Sequence, residues 1–229
     1  MVTKSTQTFV RKLLRWYGQH ARDLPWRRTR DPYRVIVSEF MLQQTQVSRV
    51  SQFYPRFLKR FPTIARLASA RPKAVMEAWD GLGYYARARN LHKLAKEVSG
   101  TGNRVPEDPE ELIKLPGVGR YTAGAVACFA YEKPVPAVDT NVKRVLERVF
   151  KKKDVWKLAG AIVPKNGKRA WRFNQAIMEL GALVCVARSP RCPECPVRPV
   201  CKSTASLFPR AARAGRRSPR SSQRSPVSS

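Results

Sequence analysis

Four cysteines within 17 residues, Cys185-x6-Cys192-x2-Cys195-x5-Cys201, constrain this chain more than any other feature. Pro190, Pro193, Pro196 and Pro199 stiffen the turns between them. The N-terminus, Met1 to Ser5, lacks the apolar segment of a secretory signal, so thiols this close read as ligands rather than as two disulfides. Four thiolates suit either zinc or an iron–sulfur cluster. Zinc sites usually pair two short knuckles, and only Cys192 and Cys195 are that close, which favours the cluster. Cys128, in the apolar run from Ala125 to Ala130, is expected to be a core thiol.

Elsewhere the periodicity is helical. Phe9, Val10, Leu13, Leu14 and Tyr17 repeat at helical spacing, as do Phe53, Tyr54, Phe57 and Leu58. Pro32 suits the start of a helix that runs apolar from Val35 to Leu42. Residues 85–98, 123–129, 142–150, 155–163 and 171–186 are further helices, with turns at 30–32, 81–83, 100–102 and 116–119. No stretch alternates convincingly between turn signals, so the expected fold class is all-α.

Charge narrows the partners. Lys and Arg number 45 against 16 Asp and Glu, a formal net charge of +29. Seven of the basic residues lie beyond Cys201, in a Ser- and Pro-rich tail without acids that is expected to be disordered. Without them, residues 1–201 still carry +22. A body this basic points to a polyanion, with nucleic acid first among the partner classes. At 43% hydrophobic residues the chain is not wholly disordered. No run of about 18 apolar residues occurs, so neither a spanning helix nor a membrane partner is expected. A monomer in the cytoplasm is expected, associated with the nucleoid if the source is prokaryotic.

Leu115-Pro116-Gly117-Val118-Gly119-Arg120 joins two helical stretches. Its glycines let backbone N–H groups approach a phosphate, and the following helix N-terminus adds partial positive charge. Such a turn touches DNA without reading its sequence, although an isolated one also serves as a plain connection. Asp139 follows 20 residues after Gly119, where it can cap the next helix or act as a carboxylate in a reaction. Glu39 is the only charge from Val35 to Val47, so burial there would raise its pKa and suit it to general acid work; a plain ion pair with an Arg is the alternative. Two carboxylates in unlike surroundings are what cleavage of a glycosidic bond needs.

The Leu115–Gly119 turn, Asp139 beyond it and the four-cysteine loop together resemble the helix–hairpin–helix DNA glycosylases. Within that superfamily Leu24-Pro25-Trp26-Arg27, the runs from Ser38 to Val47 and from Gly81 to His92, Asp139-x-Asn141-Val142-x-Arg144-Val145 and Phe173-Asn174-Gln175 are similar to the adenine DNA glycosylases of the MutY family. The likeness runs from about residue 8 to 205. It implies two helical lobes with double-stranded DNA between them: a central barrel with the hairpin at 28–137, and a cluster lobe from 1–27 plus 138–205, with the basic tail at 206–229. It also implies a [4Fe-4S] cluster on Cys185, Cys192, Cys195 and Cys201.

The resemblance assigns roles too. Glu39 would protonate adenine at N7, Asp139 would stabilise the oxocarbenium ion or its covalent successor, and Asn141 would orient Asp139. Tyr121 stands where bifunctional relatives of the endonuclease III type carry a Schiff-base Lys, which implies a monofunctional enzyme. Gln44 and Tyr84 would wedge into the stack as the target base is flipped out, and of Tyr84 and Tyr85 one is expected to be core packing. Leu115, Gly117, Val118, Gly119 and Arg120 would contact DNA. Gln175 would read an adenine edge, with Arg27 and Trp26 in the same pocket, unless Gln175 is simply a solvated helix residue. His20 and His92 are expected to be surface or structural groups. Full-length members carry a further C-terminal domain that helps recognise 8-oxoguanine opposite the adenine. A basic tail stands in that place here, so adenine excision from A·G mispairs is the firmer implication. Short thymine or uracil mismatch glycosylases of the same superfamily are the alternative, and a non-catalytic iron–sulfur DNA-binding protein is another of a different class. A basic protein that binds DNA through charge alone would leave the cysteines unexplained.

Overall fold

The computed structural model describes residues 3–203, so the tail expected at 206–229 lies outside the described residues. Among the described residues eleven α-helices follow one another: α1 Lys4–His20, α2 Pro32–Leu42, α3 Val47–Arg60, α4 Ile64–Ala68, α5 Pro72–Trp79, α6 Ala86–Gly100, α7 Pro109–Leu112, α8 Arg120–Tyr131, α9 Thr140–Phe150, α10 Val155–Ile162 and α11 Gly167–Leu183. Short 3₁₀ turns occupy Pro25–Arg27, Cys192–Glu194 and Arg198–Val200. Among the described residues there is no strand, and the fold is all-α. No helix of the described residues is long and apolar enough to cross a membrane.

Local chemistry sets the helix starts. Asp31 accepts from the Arg34 N–H (3.1 Å), Asp139 from Val142 (2.7 Å) and Asn166 from Arg169 (3.0 Å), each satisfying a donor that the helix leaves free. α11 stops three residues short of the expected Val186, because the Val184 and Cys185 N–H groups both turn back to the Leu180 carbonyl. That early exit delivers Cys185 to the cysteine loop. α4 and α5 escape the sequence pattern because one or two turns are too short to display a period.

The helices pack in two groups. α2 lies against α3, α6 and α8, while α4 and α5 cover α6 and α7 covers α8. The other group sets α1 and α9 against α11, with α10 on α9 and α1. Phe9 of α1 meets both Phe150 and Phe173 edge-on, at 5.2 and 6.4 Å between ring centres. α8 touches α11 and joins the groups, and the buried apolar side chains form one continuous cluster. α2 runs through its middle. Ile36, Val37, Phe40 and Met41 are fully buried, each worth about 1.5–3 kcal/mol of removed apolar surface.

Candidate functional site

A cleft of about 850 Å³ takes its walls from both helix groups. It gathers Trp26, Arg27, Glu39, Gln44, Tyr121, Asp139, Asn141 and Gln175 onto one surface. The hairpin residues 115–120, Tyr84 and the four cysteines line no part of it.

Glu39 is 4% exposed and projects from the buried face of α2. Its partner is not an arginine: the Tyr121 hydroxyl donates to Glu39 Oε2 at 2.7 Å. Burial raises the Glu39 pKa to about 7. The Tyr121 hydrogen bond pulls against that rise, the nearby Asp139 charge adds to it, and Arg27 opposes it from a distance. Burial likewise holds the Tyr121 hydroxyl well above the ordinary phenol range, so it remains a donor.

Asp139 takes the capping role that its sequence position suggested, and it also lines the cleft. Oδ1 caps α9, and Oδ2 accepts from Asn141 Nδ2 at 3.0 Å. Asn141 is itself held, since Arg144 donates to Asn141 Oδ1 (2.6 Å), to the Gly181 carbonyl (2.7 Å) and to the Cys185 carbonyl (2.8 Å). A methyl group on Gly181 would come within 2.7 Å of Asn141 Cβ, so only glycine lets α11 press this closely on α9. Asn174 pins the approach to Asp139 by accepting from the Ala137 N–H and donating to the Val135 carbonyl, both at 3.0 Å.

Gln175 is buried rather than solvated. Arg27 Nε donates to Gln175 Oε1 at 2.8 Å, and Arg27 Nη2 donates to Glu179 Oε2 at 2.8 Å. Arg22 completes the knot with its N–H, Nε and Nη2 on the same carboxylate. Glu179 has no solvent exposure. Burial alone would raise its pKa, but the Arg22 and Arg27 hydrogen bonds outweigh that and hold it at about 2. Sequence reasoning missed Glu179 and Arg22. A charge inside the apolar run from Ala176 to Leu183 was the available signal. Trp26 closes this side, edge-on to Tyr54.

The hairpin connects α7 to α8. Gly117 has φ +76°, and a Cβ there would lie 2.7 Å from Asn90 Cβ and 2.9 Å from the Phe40 ring, so the turn requires glycine. Val118 is buried and its N–H bonds the Leu115 carbonyl, so Val118 shapes the turn instead of facing outward; Leu115 also packs on the core. Gly117, Gly119 and Arg120 are the exposed part. The Arg120 guanidinium lies over the Trp156 ring at 4.0 Å.

Tyr84 is 60% exposed and Tyr85 39%. The expectation that one of them fills the core is therefore corrected: Trp79 and Leu82 take that place, and the left-handed residues Gly81, Gly83 and Tyr84 turn the chain outward. Tyr85 instead donates to Asp80 Oδ1 at 2.6 Å. Gln44 is also exposed and left-handed. His20 stacks on Trp16 and bonds its carbonyl, His92 is packed inside, and Cys128 is fully buried beside Asn174.

Cys185, Cys192, Cys195 and Cys201 line one apolar cavity with Arg148 and Arg198. Arg148 reaches to 3.5 Å from Cys185 Sγ. Among the described residues no three His, Cys, Asp or Glu side chains are grouped closely enough to hold a single metal ion. Four cysteine sulfurs around one cavity, with cations at its wall, are a donor set compatible with a larger thiolate-held group.

Comparison with known proteins adds a second line of observation. A profile described as HhH-GPD superfamily base excision DNA repair protein matches residues 37–159, more than half of the chain. An adenine DNA glycosylase of Mycolicibacterium smegmatis is 46% identical over 191 residues, which cover 79% of this chain and 64% of that protein. The chain thus spans less than two thirds of that relative's length. A solved structure of a thermostable thymine-DNA glycosylase superposes with a TM-score of 0.81 at 32% identity, covering 87% of this chain and 96% of that one. An endonuclease III trapped in a covalent intermediate with DNA gives 0.76 at 27% identity, covering 88% and 97%.

Proposed function

This chain belongs to the HhH-GPD superfamily of base excision DNA repair proteins, and from that premise we propose that it is an adenine DNA glycosylase, which hydrolyses the N-glycosidic bond of a mispaired adenine in double-stranded DNA. The observation that carries this is the pair of carboxylates in unlike surroundings within one cleft, Glu39 raised to about 7 and Asp139 capping α9. A large share of Glu39 is protonated near neutral pH. It gives its proton to N7 of the adenine, and the electron pair of the breaking C1′–N9 bond leaves with the base. Positive charge then develops on the sugar, and the Asp139 carboxylate, oriented by Asn141, stabilises it. Water adds at C1′ and its released proton returns to Glu39.

Arg27 fixes the Gln175 amide, leaving the NH₂ group and one lone pair of the carbonyl for an adenine edge. Tyr121 supplies no amine for a Schiff base, so base release without efficient strand cleavage follows. Gln44 and Tyr84 enter the stack as the base leaves it, and Gly117, Gly119 and Arg120 meet the backbone phosphates. Cys185, Cys192, Cys195 and Cys201 would hold a [4Fe-4S] cluster through their four thiolates, which would crosslink the loop after α11.

Single-turnover base release from A·G, A·8-oxoguanine, T·G and U·G duplexes, with alkali added to reveal abasic sites, tests the assignment. Adenine loss is expected. A second reading, thymine or uracil excision, draws on the fold match that spans nearly all of a thymine-DNA glycosylase. Loss of either pyrimidine with adenine untouched would establish it in place of the first.

A further inference from the structure

The loop that carries Gln44 and the turn that carries Tyr84 meet on one buried side chain. Arg87, 7% exposed, lies in the first turn of α6. Its Nη1 donates to the carbonyls of Phe40 (3.1 Å), Met41 (2.8 Å) and Gln43. Its Nη2 donates to Thr45 Oγ1 at 3.0 Å and to the Leu82 and Gly83 carbonyls at 3.1 Å. Gln43 and Thr45 flank Gln44; Gly83 precedes Tyr84. The guanidinium also sits 5.3 Å from the Tyr84 ring centre and 5.5 Å from that of Trp79.

Both carried residues are unusual in the same way. Gln44 has φ 57° and Tyr84 φ 47°, left-handed conformations that a side-chain-bearing residue keeps only where its surroundings hold it. Arg87 is what the two surroundings have in common. Among the described residues no carboxylate pairs with it, and the carbonyl end of α2 offsets its charge instead. The planar fork reaches acceptors on two segments at once, which a lysine ammonium with three donors on a flexible stem does not do.

We propose that Arg87 is a positioning residue for base extrusion, one rigid fork that fixes Gln44 and Tyr84 as a matched pair before DNA arrives. This rests on the assignment of the cleft as a base-excision site. Two wedges on independent loops would each have to be ordered on binding; tied to one guanidinium they are ordered beforehand.

The test uses the full chain and a duplex with 2-aminopurine in place of the target adenine, opposite G, because its fluorescence rises on unstacking whether or not a bond is cut. Arg87→Lys is expected to slow extrusion about tenfold, within the range of a coupled contact, and to leave binding to undamaged duplex within about twofold. Gln44→Ala and Tyr84→Ala each slow extrusion in the wild-type background, and in Arg87→Lys each adds less than about twofold. Full additivity in a folded Arg87→Lys protein overturns the proposal, as does equal loss of binding to undamaged duplex. If Arg87→Lys does not fold, Thr45→Val removes one acceptor on the Gln44 side. It is expected to slow extrusion about threefold, non-additively with Gln44→Ala and additively with Tyr84→Ala, and additivity with both overturns the proposal. A wild-type protein that binds the mispaired duplex with no fluorescence rise sinks the base-excision assignment and this proposal together. A rise with additive losses sinks this proposal alone.

Discussion

Glu39 on α2 and Glu179 on α11 are the same side chain, both line the cleft, and both are buried. Yet one is raised to about 7 and the other held at about 2. Burial pushes both upward, so burial does not distinguish them. The partners do: Glu39 has one neutral hydroxyl, whereas Glu179 has two guanidiniums and a backbone N–H. One cleft thus holds a carboxyl able to carry a proton near pH 7 and a carboxylate fixed as an anion, the same residue type with different groups opposite it.

The sharpest way to break the comparison is Glu39→Gln, which keeps the shape and removes the transferable proton. Base release in single turnover should fall by about 10²–10⁴-fold. Stability should move the other way. The raised pKa means that the native state binds the extra proton, so stability is fully present below pH 4.5 and is lost as pH rises through about 7. Denaturation curves of Glu39→Gln and wild type should therefore diverge between those values, the variant gaining up to about 3 kcal/mol at higher pH. A constant offset across that window would show that Glu39 is not raised.

Glu179→Gln probes the other side. It strands Arg27, whose side chain is 10% exposed, and Arg22, which is about a third exposed and partly rescued by water. The expected loss is about 2–4 kcal/mol in urea denaturation near pH 7. Here the sign reverses: the stabilisation from Glu179 is present above pH 4.5 and lost as pH falls through about 2. Unchanged stability near pH 7 would mean that the arginines do not depend on this carboxylate.

Tyr121→Phe is the mildest change. It removes the hydrogen bond that lowers Glu39, so the alkaline fall of the base-release rate should move to higher pH, with the rate at pH 7 changed by less than about tenfold. A profile that stays in place would separate Tyr121 from the acid.

The two glutamates also mark what a sequence makes legible. Glu39 was readable because its isolation among Ile36, Val37, Phe40 and Met41 is local, and burial follows from the helical period. Glu179 stands in comparable company, but its partners lie 152 and 157 residues away, a separation that no pattern along the chain encodes. The α9 start was legible for the same reason as Glu39, since a cap acts within three residues. Arg87 was not: apart from Thr45 Oγ1 its acceptors are carbonyls, which every residue carries, so nothing in the letters at positions 40–43 or 82–83 announces them. The exposure of both Tyr84 and Tyr85, where one of the two is expected in the core, arises because periodicity is silent on a segment bent by three left-handed residues.

The pairing of α1 with α11 has a consequence for how the chain comes into being. Synthesis runs in one direction and this packing does not: α1 buries Phe9 against Phe150 of α9 and Phe173 of α11, which are made more than 100 residues later. α2 to α8 are contiguous and meet their own partners as they emerge. At about 5–20 residues per second, the apolar face of α1 waits on the order of 10 s for α9 and α11. Translation therefore leaves one amphipathic helix open until α11 is complete, and the docking of α1 ties together helices that are far apart along the chain.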